Sequence, residues 1–162
     1  MENRDSREEK AMRYLQDLCE GKVGGAEFEF LCLRGIQDIL FPQEGLIRCN
    51  YTVPDHASDE NGNWHVGAMA TLMDVVGGTA IRSITGNRAV SVDFAVSYLS
   101  TAKIHDEVEI EAKVVGHKGK LPLVEVEVRR KSNRDLIATS RQWASSVSFE
   151  YSDGNPVAVS KL

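Results

Sequence analysis

The sequence predicts a mixed α+β fold, in which an antiparallel sheet of five or six strands wraps one long central helix. Two observations predict it. Apolar residues recur at Met69, Leu72, Met73, Val76, Ala80 and Ile84, the i, i+3, i+4, i+7 spacing of a helix. After residue 86 the period changes from 3.6 to 2, and it keeps that value through several segments joined by short turns. Short turns make such segments antiparallel neighbours.

The central helix reads from Asn63 to about Ser83, with Asn63 as its N-cap. Little in its first four turns is charged, so it is expected to be covered on most sides. Asp74 is the exception, a carboxylate beside Met73, Val75 and Val76 that is costly unless solvated, paired or used. Gly67, Gly77 and Gly78 each cost roughly 1 kcal/mol relative to Ala inside a helix. They imply a sheet packed close against it. A helix apolar nearly all round also implies cover from a second subunit.

Before this helix, Ser6 to Glu20 is an amphipathic helix with Met12, Leu15, Leu18 and Cys19 as its stripe. Gly24-Gly25 breaks the chain. Phe28–Leu33 and Gln37–Phe41 read as short strands, and Leu46–Val53 as a longer one ending at Pro54. Asp55–Gly62 is a polar loop. After the helix, Val90, Val92, Phe94, Val96 and Tyr98 alternate cleanly with polar or small residues. Val108 to Val114 repeats the pattern, His117-Lys118-Gly119-Lys120 connects, and Val124, Val126 and Val128 alternate with charged residues. Leu136–Val147 is the last strand, followed by an exposed tail.

The 162 residues suit one domain. The net charge of −5 and pI near 5.4 argue against a nucleic-acid-binding surface. Cys19, Cys32 and Cys49 lack CxxC spacing and read as reduced, buried thiols. The four histidines lack metal-ligand spacing, so no metal is expected. No cofactor is implied. The charged N-terminus fits no secretory signal, and no stretch reaches the length of a membrane span. The chain ends Ser160-Lys161-Leu162, a tripeptide read by the peroxisomal import receptor. The expected location is therefore the peroxisome.

Gly62-Asn63-Trp64-His65-Val66-Gly67, the Ala70–Asp74 segment, Val90-Ser91-Val92-Asp93 and Tyr98-Leu99-Ser100-Thr101-Ala102-Lys103 together resemble the small, PaaI-like acyl-CoA thioesterases of the hotdog fold. The family pattern is N-x-x-G-x-L-H-G-G, with an acid nine residues after the His. Here that spacing joins His65 to Asp74. The resemblance covers roughly residues 46–147. It divides the chain into an N-terminal helix and linker (1–25), a hotdog thioesterase domain (26–150) and a tail carrying the targeting tripeptide (151–162).

The resemblance implies a homodimer or homotetramer that hydrolyses acyl-CoA. The Val66 N–H polarises the thioester carbonyl, as free N–H groups at a helix start can. Asp74 activates water in the partner's site, Ser91 helps hold that water, and His65 contacts substrate. The chain departs from the pattern in having Val66 for the second residue of H-G-G and Asp59 for the family Asn, unless a loop shift substitutes Asn61. Gly67 and Tyr98 complete the substrate side. Lys103, Lys118, Gly119, Lys120 and Arg141 fall where the family meets coenzyme A. The alternatives are an aryl-CoA thioesterase acting on dihydroxynaphthoyl-CoA and a non-catalytic acyl-CoA-binding protein. A hydratase fits less well, since the helix lacks a second His.

Overall fold

A computed structural model describes residues 3–152 and 155–160. Two helices come first, α1 (Arg4–Cys19) and α2 (Glu27–Leu33), then strands β1 (Ile36–Gln43) and β2 (Leu46–Thr52). The central helix α3 spans Val66–Thr85, and β3 (Arg88–Tyr98), β4 (Glu107–Lys118), β5 (Leu121–Arg130), β6 (Leu136–Ser152) and β7 (Asn155–Ser160) follow. All pairings are antiparallel, in the order β1-β2-β4-β5-β6-β3, with β7 on the end of β6.

The helical stripe reads through directly. Met69, Leu72, Met73, Val76 and Ala80 are all buried and form the spine of the core with Ile47, Ile110, Val124, Val126 and Ile137. Gly86 ends the helix at φ 71°, where its N–H donates to the Arg82 carbonyl. That left-handed C-cap is the conformation glycine adopts at least cost. Asn3 caps α1, its Oδ1 accepting the Ser6 N–H at 2.8 Å, and α1 packs on α3.

Several expectations are corrected. Phe28–Leu33 lies in a helix, not a strand: the short run buries Cys32 and Leu33 and leaves Phe28 and Leu31 exposed. Asn63 is not the N-cap. Its side chain donates to Asp59, and His65 caps α3 through Nδ1, which accepts the Gly67 N–H at 3.0 Å. The tail is partly a strand, because β7 pairs with the end of β6. The sheet order also departs from simple succession. Strand β3 pairs with β6 rather than β4, and so lies at the end of the main path.

The even alternation expected of β3 breaks at a register shift between Ser91 and Asp93. A bulge of this kind re-aims side chains by one position. Ala89, Phe94 and Val96 pack against the core, Ser91 reaches α3, and Val90 and Val92 remain 51% and 54% exposed.

Of the helix glycines, only Gly77 is a point of close approach. A Cβ there would sit 2.6 Å from Gln142 Oε1 and 3.3 Å from Val124, whereas one at Gly78 would meet nothing within 4 Å. Gly67 adjoins only the His65 ring. The two neighbours should therefore respond oppositely to alanine. Gly78→Ala should gain about 0.5–1 kcal/mol from reduced chain entropy. Gly77→Ala should lose about 1–3 kcal/mol by overpacking. Thermal unfolding midpoints in the order Gly78→Ala, parent, Gly77→Ala would verify this; the reverse order would refute it.

Candidate active site

The start of α3 is held by the loop before it. Asp59 accepts the N–H groups of Asn61 and Asn63 at 2.8 and 2.9 Å on one oxygen, and the Asn63 side chain at 3.1 Å on the other. These bonds, led by the Asn63 backbone, hold the Asp59 carboxyl below the usual carboxylate range. Trp64 N–H donates to the Ala102 carbonyl at 2.7 Å, and Lys103 Nζ to the Asn61 carbonyl at 3.3 Å. Loop and residues 102–103 thus fix where the helix begins.

At that point Val66 is the first helical residue, so its N–H has no intrahelical acceptor. The Val66 side chain is half-exposed, and the Tyr98 hydroxyl donates to the Val66 carbonyl at 3.0 Å. The Gly67 N–H is already taken by His65.

Two turns further on, Asp74 is half-buried where the β3 bulge brings Ser91 against it. The Ser91 hydroxyl donates to Asp74 Oδ1 at 2.5 Å. The Gln142 amide donates to the same Oδ1 and lies 2.5 Å from Ser91 Oγ. Both bonds land on Oδ1, and Oδ2 carries neither. Gln142 is 1% exposed, and its Oε1 is buried against Gly77 with no hydrogen-bond partner among the described residues. The carboxylate decides this orientation: turning the amide would set its oxygen against Asp74. Sequence reasoning missed Gln142. The available signal was parity on β6, where Ala138, Ser140, Gln142 and Ala144 are buried and face inward.

Asp74, Ser91 and Gln142 stand at one end of a cleft of about 390 Å³ between α3, β3, α1, the turn at residues 23–26 and Glu29 at the start of α2. A carboxylate with one oxygen outside these two bonds, at such a cleft, can accept a proton from water. No thiol competes as nucleophile, since burial pushes Cys19 up to about 12 and raises Cys32 and Cys49 as well.

The remaining expected residues scatter. Lys118, Gly119 and Lys120 make the β4–β5 turn, with Gly119 at φ 60°. Arg141 is exposed beside buried Gln142, so it lies on the sheet face opposite Asp74, 3.9 Å from Glu125. Ser160 lies in β7, whereas Lys161 and Leu162 fall outside the described residues. Among the described residues no three His, Cys, Asp or Glu cluster as metal ligands, and no helix is long and apolar enough to cross a membrane.

Residues 61–137 match the model of the thioesterase superfamily. The chain is 31% identical over 98 residues to acyl-coenzyme A thioesterase 13 of Homo sapiens, spanning 60% of this chain and 70% of that one. Its structure is similar to zebra fish thioesterase superfamily member 2, with a TM-score of 0.71 and 28% identity over 81% of this chain and 93% of the other. The PaaI protein of E. coli shares the fold at a TM-score of 0.69 and 19% identity, over 90% of this chain and 99% of that one. The sheet wrapped on α3 is therefore the hotdog fold that the sequence resemblance implied. With these matches, the chain belongs to the thioesterase superfamily.

Proposed function

We propose that this protein hydrolyses acyl-CoA thioesters to the free acid and coenzyme A. The observation that carries the proposal is Asp74, held on Oδ1 by Ser91 and Gln142 at the mouth of a cleft. Water attacks the thioester carbon while Asp74 Oδ2 takes its proton. The carbonyl oxygen gains negative charge and is stabilised by the Val66 N–H at the positive end of α3. Collapse breaks the C–S bond, and the coenzyme A thiolate leaves and takes up the proton that Asp74 had accepted, which restores the base. Ser91 also orients the water.

One helix cannot serve one carbonyl with both groups. Asp74 is eight residues beyond Val66, about 12 Å along the axis. The site is therefore shared by two chains, with Asp74 of one facing the Val66 N–H of the other across antiparallel α3 helices. The end strand β3, with half-exposed Val90 and Val92, supplies the surface. A bare eleven-residue edge bearing apolar side chains is a template for pairing, and a second copy satisfies it. A homodimer, or a homotetramer built of two, follows. Lys103 beside the helix start is placed to meet the phosphates of coenzyme A, and Lys118 and Lys120 act as outlying cations. Asp59 serves the loop, so the Val66 N–H carries the oxyanion.

Release of free thiol from a panel of acyl-CoAs, including dihydroxynaphthoyl-CoA, tests the proposal. Turnover of straight-chain acyl-CoAs supports it, and turnover of the aryl member alone selects the aryl-CoA reading. Binding without turnover leaves an acyl-CoA-binding protein.

The terminal Ser160-Lys161-Leu162 supports a peroxisomal location and a place in lipid metabolism. A fluorescent protein fused upstream should enter peroxisomes, and deletion of Leu162 should leave it in the cytosol. Import that survives the deletion contradicts this.

A further inference from the structure

The cleft that begins at Asp74 ends at two guanidinium groups. Arg82 lies eight residues along α3, about 12 Å from Asp74. Its guanidinium stacks 4.6 Å from the centre of the Tyr14 ring, and Arg88 lies 5.1 Å from the same ring. Stacking fixes the position of Arg82 without giving its N–H groups an acceptor. Nε and Nη1 are buried with no hydrogen-bond partner among the described residues. Buried, unpaired donors on a charged group are costly. Burial and the neighbouring Arg88 lower the pKa of Arg82, but an arginine stays charged at neutral pH.

The stretch between Asp74 and Arg82 does not suit a plain alkyl chain. Gly78 opens into it, Thr79 and the Gly24-Gly25 turn line it, and Glu29 stands on its rim. Val75, Leu18 and Val23 supply a limited apolar wall. Such a lining accepts a short methylene run with a polar group at its far end. Glu29 repels a carboxylate, and the Arg82 guanidinium at the far end attracts it.

We infer that the Arg82–Arg88 end of the cleft binds the distal carboxylate of the acyl group, so that ω-carboxylated acyl thioesters are preferred substrates. This rests on the reading of the cleft as the acyl site of a thioesterase. A carboxylate gives an unpartnered Arg82 donor a charged acceptor, the stronger kind of hydrogen bond for a guanidinium.

The test compares suberoyl-CoA with octanoyl-CoA, which differ only in the terminal carboxylate, on the full chain. The parent should show kcat/KM about tenfold higher for suberoyl-CoA, the factor that about 1.4 kcal/mol supplies. Arg82→Gln should bring the ratio to about one, and Arg82→Lys should keep part of it. Calorimetric titration of free suberate and octanoate into the parent needs neither variant nor turnover, and suberate should bind more tightly. Octanoyl-CoA turnover with a ratio of one or less overturns this inference and leaves the thioesterase standing. Suberate binding without turnover of either thioester upholds the anion site and overturns the hydrolase. A ratio that survives in folded Arg82→Gln also overturns it.

Discussion

Asp74→Asn should lower thioester turnover by about a hundredfold or more, in line with the removal of a positioned general base. Asn has the size and shape of Asp, and its oxygen can still accept from the Ser91 hydroxyl and the Gln142 amide. The hydrogen-bonded cluster therefore persists while the proton acceptor disappears. Unfolding temperature and oligomeric state should stay close to those of the parent, which separates lost chemistry from lost structure. Steady-state thiol release measures the effect, and turnover at the parent rate would rule Asp74 out as base.

Val66→Pro should produce a loss of similar size by a different route. Proline lacks the backbone N–H but is well tolerated as the first residue of a helix. His65 already has φ −63° and ψ 127°, the extended conformation required before proline. The substitution removes one hydrogen-bond donor and leaves α3 standing. Loss of one oxyanion donor costs about 10²–10³ in kcat. If the variant keeps its fold and the parental kcat, the helix start does not carry the oxyanion.

What the sequence revealed was what one local pattern determines. Met69, Leu72, Met73, Val76 and Ala80 share a helical face, and their burial follows from the period alone. The His65-to-Asp74 spacing marked the right helix because it is also local. Phe28–Leu33 failed because so short a run of mixed apolar and acidic character fits strand or helix equally, and its packing on α3 decided the outcome. Asn63 had the better N-cap side chain, but Asp59 took it, and the cap passed to His65.

The site itself was half legible. Asp74 stood out as a charge among apolar neighbours. Ser91 reached it only through a bulge that an even alternation in β3 concealed. Gln142 comes from 68 residues away in sequence and has no motif around it. Parity along β6 separates it from Arg141, which the family pattern alone grouped with the ligand-binding residues. Contacts made across the sheet, and those made between chains, leave little trace in a single local stretch.

The central claim is that each site takes its base from one chain and its oxyanion donor from the other. Mixing Asp74→Asn chains with Val66→Pro chains, after unfolding and refolding them together, tests it most directly. In a mixed dimer with shared sites, one site combines both defects and the other has neither. About half the dimers are mixed in a random symmetric assembly, so thiol release should recover to about a quarter of the parental rate. If base and donor belonged to the same chain, every site in the mixture would carry one defect. Activity would then stay at the level of the separate variants, and the shared-site account would be contradicted.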